Sequence, residues 1–335
     1  MAKERAVPAQ SDAPVFALPE TISRWFAGRG WAPRSHQLAV AEAAQRGPVL
    51  LIAPTGGGKT LAGFLPSLID LNGRPVAKAK RTAQDANPLI AALRERAHAT
   101  RRGIHTLYVS PLKALAADIA RNLEAPVSEM GLPIRLETRT GDTPVHKRQR
   151  QKFDPPDMLL TTPEQLALLL AAREAQDLFA GLKYVVLDEL HALVASKRGD
   201  LLALDLARLS AIAPDAKRIG LSATVADPDP LRRYLVPQRG GLDLRAHLVL
   251  GEKGAAPQVS ILASEAHVPW SGHMARHAIE EVLAIVKTAQ TTLIFVNTRS
   301  QAELIFQWMW QANVEALPIA LHHGSLSVEQ RKRVE

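Results

Sequence analysis

Short apolar runs recur along this chain and alternate with longer stretches in which apolar positions return every three or four residues. The runs are 49–53, 106–110, 158–161, 184–187 and 218–221. Continuous apolarity over four or five residues fits a strand covered on both faces, whereas a strand with one wet face would alternate. Each run is followed by a helix-length segment, and that alternation predicts an α/β fold: a parallel sheet with crossover helices on both faces. Around Val236-Pro237-Gln238-Arg239-Gly240-Gly241 the pattern breaks into dense punctuation and then short extended segments at 244–250 and 259–262. A helical stretch over 272–287 follows, and strand–helix alternation resumes through 292–296, 299–311 and 316–321. The expected division is a loose leader at 1–19, a first domain at 20–237, a linker at 238–270 and the start of a second domain at 271–335.

Composition narrows the class. With 47% hydrophobic residues over 335 positions, the chain can bury the cores of two ordinary domains. A formal charge of +8 favours polyanionic partners without choosing among them. Cysteine is absent, which excludes disulfides, thiolate chemistry and cysteine-ligated metal sites. The charged N-terminus leads into no apolar signal segment, and every apolar run is far shorter than the roughly 20 residues that span a bilayer. A soluble, cytoplasmic protein with no membrane partner is the expectation. Two stretches are strongly basic, 72–103 and His146-Lys147-Arg148-Gln149-Arg150-Gln151-Lys152; each fits either a solvated helix face or a nucleic-acid contact.

Candidate chemistry begins at Ala53-Pro54-Thr55-Gly56-Gly57-Gly58-Lys59-Thr60, directly after the first apolar run and at the start of a helical pattern. Three consecutive glycines let the backbone wrap an anion, so that N–H groups of Thr55, Gly56, Gly57 and Gly58 and the helix N-terminus face phosphates. Lys59 would reach the β- and γ-phosphates of ATP, and the Thr60 hydroxyl would ligate Mg²⁺. At the end of the run 184–187 stands Asp188-Glu189-Leu190-His191. An acid there lies at the carboxyl edge of a parallel sheet. Asp188 would hold the Mg²⁺ and Glu189 would polarise the attacking water, because phosphoryl transfer needs charge compensation and an oriented nucleophile. Taken alone the two acids also fit a helix N-cap; the phosphate loop is what favours catalysis. Ser222-Ala223-Thr224 closes the run 218–221 and would bring two hydroxyls beside the same edge.

In order and spacing these three strings resemble motifs I, II and III of superfamily 2 helicases, whose loops share the Ala found here at position 53. The resemblance runs from about residue 18 to the end. It implies a RecA-like P-loop NTPase domain plus a truncated second RecA-like domain. Gln37, within Gly30-Trp31-Ala32-Pro33-Arg34-Ser35-His36-Gln37, matches the glutamine that reads the adenine edge; a polar residue at a helix start is the other reading. Ser110-Pro111-Leu112-Lys113 is similar to motif Ia, Thr140-Gly141-Asp142 to the glycine-bearing motif after it, and Thr162-Pro163-Glu164 to motif Ib. In the family these line the nucleic-acid track and hold backbone phosphates rather than bases. His191, Ser222 and Thr224 fall where the family couples nucleotide to nucleic acid. The continuation Ser196-Lys197-Arg198-Gly199-Asp200 and the later Leu321-His322-His323-Gly324-Ser325 are similar to the bacterial large helicase-related group, particularly its ligase-associated DNA damage response DExH-box branch.

What this resemblance implies is ATP-dependent translocation on single-stranded or partly duplex DNA, 3′-to-5′ unwinding and DNA repair, with an RNA–DNA hybrid and DNA repair proteins as further candidate partners. An RNA helicase and a non-catalytic ATP- and nucleic-acid-binding module are the alternatives. Motifs V and VI, with the arginine fingers, do not occur in these 335 residues. Such a finger contributes roughly 10³–10⁵ in rate, so this stretch alone is expected to bind ATP better than it hydrolyses it. His322 and His323 lack neighbouring carboxylate or thiolate ligands and make a poor metal site. Trp308 and Trp310 are two positions apart on a helix and face different sides, with at least one packed inward.

Overall fold

In the computed structural model of the chain, the described residues are 16–73, 103–238, 240–252, 254, 258–262, 264 and 275–334. The basic stretch 72–103 falls almost wholly outside them, as do the first fifteen residues of the expected leader. The chain divides after residue 255 into two compact units.

The five apolar runs become five strands: β1 (Val49–Ile52), β2 (Thr106–Val109), β4 (Met158–Thr161), β5 (Tyr184–Leu187) and β6 (Lys217–Ser222). Two more complete the sheet, β3 (Leu136–Arg139) and β7 (His247–Leu250). The order is β3-β4-β2-β5-β6-β1-β7 and every pairing is parallel. Both additions lie at the sheet's edges. Three of the four residues Leu136-Glu137-Thr138-Arg139 are polar, and His247 and Leu250 are exposed. An edge strand need not be apolar on both sides, so neither shows the continuous signal of the central five. The first unit consequently takes in 247–250, which the sequence pattern assigns to a linker beginning at 238.

Side chains alternate across the sheet, so each central strand supplies two cores. Val49 and Leu51 join Tyr108, Val186 and Ile219 on one face, while Leu50 and Ile52 join Leu107, Val109 and Val185 on the other. The first face is covered by α1 (Glu20–Gly28), α2 (Ser35–Arg46), α3 (Lys59–Asn72) and α4 (Lys113–Glu129). Phe16 and Leu18 also pack against it, so the end of the expected leader is part of the fold. The edge strand β3 carries α5 (Val145–Phe153) beside it. The second face is covered by α6 (Pro163–Leu170), α7 (Ala175–Phe179), α8 (Leu190–Val194), α9 (Lys197–Ile212) and α10 (Asp229–Tyr234).

The joint between α8 and α9 is unusually close. Ser196 caps α9, accepting from the Gly199 N–H at 3.3 Å while donating to the Leu193 carbonyl at 2.7 Å. A methyl group on Gly199 would sit 2.2 Å from that same carbonyl oxygen, an overlap no rotamer can relieve. Gly199→Ala is therefore expected to destabilise the first unit by about 1–3 kcal/mol or more. Chemical denaturation monitors this, and an unchanged midpoint would mean that the α8 C-terminus yields freely.

The second unit contains, among the described residues, a short 3₁₀ turn (Arg276–Ala278), α11 (Ile279–Thr288), α12 (Arg299–Ala312) and α13 (Val328–Val334). Ile279, Leu283 and Met309 form its centre, with Trp308 packed against them and Trp310 exposed, the division expected of two positions on opposite helix faces. The runs 292–296 and 316–321 are not strands here. They form no ladder with each other or with any other described residue, and Leu293 and Phe295 are exposed. An apolar run makes a strand only where a neighbour accepts its backbone hydrogen bonds.

Candidate nucleotide site and nucleic-acid interface

Because all seven strands are parallel, the loops after them emerge at one edge of the sheet. The strand order sorts these loops into two groups. The loops after β5, β6 and β1, neighbours in the sheet, carry Asp188-Glu189, Ser222-Ala223-Thr224 and the glycine loop. Those after β2, β4 and β3, also neighbours, carry Ser110–Lys113, Thr162–Glu164 and Thr140–Asp142.

The glycine loop is wound tightly. Gly56 and Gly58 both have φ +76°, the left-handed region that favours glycine. A Cβ on Gly58 would also lie 2.8 Å from the Gln37 amide. Ala53 N–H donates to the Ser222 carbonyl at 3.2 Å and Gly57 N–H to Pro54 at 3.0 Å. Lys59, 8% exposed, donates from Nζ to the Ala53 carbonyl at 2.9 Å, so its ammonium folds back over the loop. The N-terminus of α3 has no side-chain cap, leaving its first N–H groups for another acceptor. Thr55 is exposed and Thr60 half-buried.

Two residues of α2 brace this loop from behind. Gln37 accepts from the Arg34 N–H at 2.9 Å and donates to the Gly58 carbonyl at 3.3 Å; it is at once a helix-start residue and a clamp on the loop. His36, which sequence reasoning passes over, is buried with Nε2 2.9 Å from the Gly57 carbonyl.

On the β5 side, Asp188 is buried and its N–H donates to Val109 in β2 at 2.9 Å. Its carboxylate accepts from the Glu189 N–H at 2.8 Å and from the Tyr108 hydroxyl. Burial, reinforced by the Asp188 charge, raises the Tyr108 pKa far above its ordinary value, so the phenol stays protonated and is a permanent donor. Glu189 adopts the left-handed conformation at φ 46°, strain of the kind that concentrates at functional turns. His191 Nδ1 lies 3.1 Å from Ser222 Oγ and 3.5 Å from a Glu189 oxygen, joining the loops after β5 and β6. Thr224 is exposed.

Of the nine residues expected along the track, Ser110, Thr140, Thr162 and Pro163 are buried, so their side chains support the loops. Pro111 is partly exposed, while Lys113, Gly141, Asp142 and Glu164 reach the surface. The two exposed acids are both paired. Lys113 donates to Asp142 at 3.1 Å. Arg198 of α9 donates to Glu164 at 3.0 Å and to the Pro111 carbonyl at 2.6 Å, and its hydrogen bond is the main cause that holds the Glu164 carboxyl below its ordinary pKa. Such half-exposed pairs stabilise little; their effect here is to cancel carboxylate charge and tie the loops together.

A family model, DEAD/DEAH box helicase, matches residues 34–231, which take in both groups of loops. The chain belongs to the DEAD/DEAH box helicase family. This DEAD/DEAH box chain is 34% identical to the ATP-dependent helicase Lhr-Core protein 2 of Thermococcus barophilus, over 95% of its own length and 36% of that protein. It is also 34% identical to the ATP-dependent helicase Lhr-Core of Methanocaldococcus jannaschii, over 97% and 37% respectively. The solved structure of Mycobacterium smegmatis helicase Lhr bound to ssDNA and AMP-PNP matches it with a TM-score of 0.75 at 32% identity, over 95% of this chain and 39% of that one. The chain thus spans little more than a third of the length of these relatives, with the RecA-like helicase fold.

The DEAD/DEAH box chain uses much of its second basic cluster for docking. Arg150 donates to Glu137 of β3 at 2.6 Å, and buried Gln151 donates to Glu137 and to the Thr138 carbonyl at 2.9 and 3.1 Å. The Arg148 carbonyl accepts from buried Arg139 at 2.7 Å, and Lys152 pairs with Glu174 at 3.6 Å. Exposed His146 and Gln149 remain on the outer side. Holding α5 against the sheet is a role that neither reading from sequence includes. Among the described residues no helix is long and apolar enough to cross a membrane.

Proposed function

We propose that the chain is the ATP-binding motor portion of a DNA helicase or translocase that couples ATP hydrolysis to movement along single-stranded DNA. The observation that carries this reading is the grouping at one sheet edge: glycine loop, acidic pair and Ser222 after adjacent strands, and a set of charge-balanced loops beside them. Lys59 would bind the β- and γ-phosphates. Thr60 and Asp188 offer oxygen donors of the kind Mg²⁺ prefers, and the uncapped helix N-terminus behind a loop that tolerates only glycine suits a polyphosphate. Bound Mg²⁺ supplies the charge that offsets negative charge on the phosphoryl oxygens. Glu189 would orient the water and take its proton, and Gln37 would reach the adenine edge. His191, Ser222 and Thr224 would pass the state of this site to the track. Pro111, Lys113, Gly141 and Asp142, with Ser110, Thr140, Thr162, Pro163 and Glu164 behind or beside them, would hold the phosphate backbone. The single-stranded DNA named for the mycobacterial relative favours DNA over RNA. The family resemblance adds 3′-to-5′ movement, DNA repair and the ligase-associated branch to this reading.

Titration of labelled single-stranded DNA at two salt concentrations, with and without Mg-ATP, tests the track. Binding should weaken with salt by about 0.7 log unit per log unit for each phosphate neutralised. No string resembling the family's arginine-bearing motif occurs in these 335 residues, so Mg-ATP should change the affinity little and turnover should be slow. Salt-insensitive binding would remove the phosphate track, and intact ATP binding without any turnover would leave a binding module.

A further inference from the structure

The two groups of loops meet between β2 and β5, which are direct neighbours in the sheet. One side chain crosses that seam at the level of the site. Tyr108, in the second-last position of β2, is fully buried, stacks on Phe64 of α3 with ring centroids 5.2 Å apart, and donates its hydroxyl to Asp188. Ser110, the first residue beyond β2 and two positions past Tyr108, is fully buried as well. Nothing about apolar packing requires an oxygen here, since phenylalanine would fill the same space and stack equally well on Phe64.

We propose that Tyr108 is a positioning residue for the metal-binding acid: its hydroxyl fixes one oxygen of Asp188 and leaves the carboxylate turned to present the other lone pairs to Mg²⁺. This rests on the reading of Asp188 as the metal carboxylate. A carboxylate held only by its own neighbour's N–H could rotate about its terminal torsion, which is broad and soft. The donor from β2 removes that freedom. The ring is clamped by Phe64, and the hydroxyl cannot swing away without leaving the plane of the stack. Partners of this kind orient a ligand without touching the metal, and their loss typically lowers metal affinity by about 10–100-fold. The same hydroxyl ties Asp188 to β2, the strand that leads into Pro111 and Lys113, so the acid and the start of the track share one anchor.

The test is Tyr108→Phe in the 335-residue chain, with Asp188→Asn as its control. Binding of a fluorescent ATP analogue is followed while MgCl2 is titrated, and thermal melting is recorded for each protein. The expected result for Tyr108→Phe is a Mg²⁺ half-saturation raised by about tenfold, with nucleotide affinity recovered at saturating Mg²⁺ and a melt close to that of the parent. A purely structural role would lower the melting temperature and weaken nucleotide binding at every Mg²⁺ concentration alike. If Asp188→Asn shifts the Mg²⁺ midpoint and Tyr108→Phe does not, the positioning role is overturned. If Asp188→Asn itself leaves the midpoint unchanged, the assignment of Asp188 fails, and the role of Tyr108 fails with it.

Discussion

Replacing Lys59 with alanine is expected to weaken ATP binding by about two to three orders of magnitude, the effect of removing one partner from a desolvated charge pair worth roughly 3–5 kcal/mol. Lys59 is 8% exposed and is the first residue of α3, behind three glycines whose N–H groups cannot supply a full positive charge. Its present acceptor is the Ala53 carbonyl, a neutral group that a phosphate oxygen would outcompete. Loss of that single hydrogen bond costs the fold only about 1 kcal/mol, and the side chain belongs to neither hydrophobic core. The variant should therefore melt close to the parent while failing to bind a fluorescent ATP analogue. Parental affinity in a folded Lys59→Ala protein would remove the glycine loop from the nucleotide site.

Glu189→Gln separates binding from chemistry. Glutamine keeps the size of the side chain and its capacity to bond His191, which lies 3.5 Å away, and it meets the same left-handed backbone as glutamate does. It cannot take a proton from water. Mg-ATP affinity should stay as in the parent, while single-turnover hydrolysis falls by about 10²–10⁴, the usual contribution of a general base. Equal rates for the two proteins would assign the proton to another group. A loss of binding together with rate would instead point to Glu189 as a residue that shapes the loop after β5, because its side chain makes no cap hydrogen bond to α8.

The residues that these two variants address were legible because the relevant signals are local. A strand, a glycine turn and the first residues of a helix lie within a dozen positions around Lys59, and an apolar run ending in two acids lies within six around Asp188. The five central strands were legible for a related reason, since burial on both faces makes the run apolar without interruption. The edge strands β3 and β7 escape that signal, and Glu137 and Arg139 show why: both are buried polar residues whose partners, Arg150, Gln151 and the Arg148 carbonyl, come from a helix that follows later. Tyr108 reads as one more apolar member of β2 until Asp188, 80 residues on, is placed beside it. Arg198 likewise has no visible partner in the sequence, because Glu164 and the Pro111 carbonyl meet it only after three crossovers have stacked their strands.

The strand that carries the phosphate loop is synthesised first and paired last. β2, β4 and β3 come together from the middle of the chain, so the track-bearing loops gain mutual support while synthesis is still under way. β1 must wait for β6 on one side and for β7 on the other. Pairings of such wide sequence separation are slow to form, because the intervening chain has to be ordered before they are rewarded. The glycine loop is thus expected to be anchored late in the folding of the nascent polypeptide. A chain released before Lys217 would own β1 and the whole glycine loop but neither of the strands that β1 pairs with.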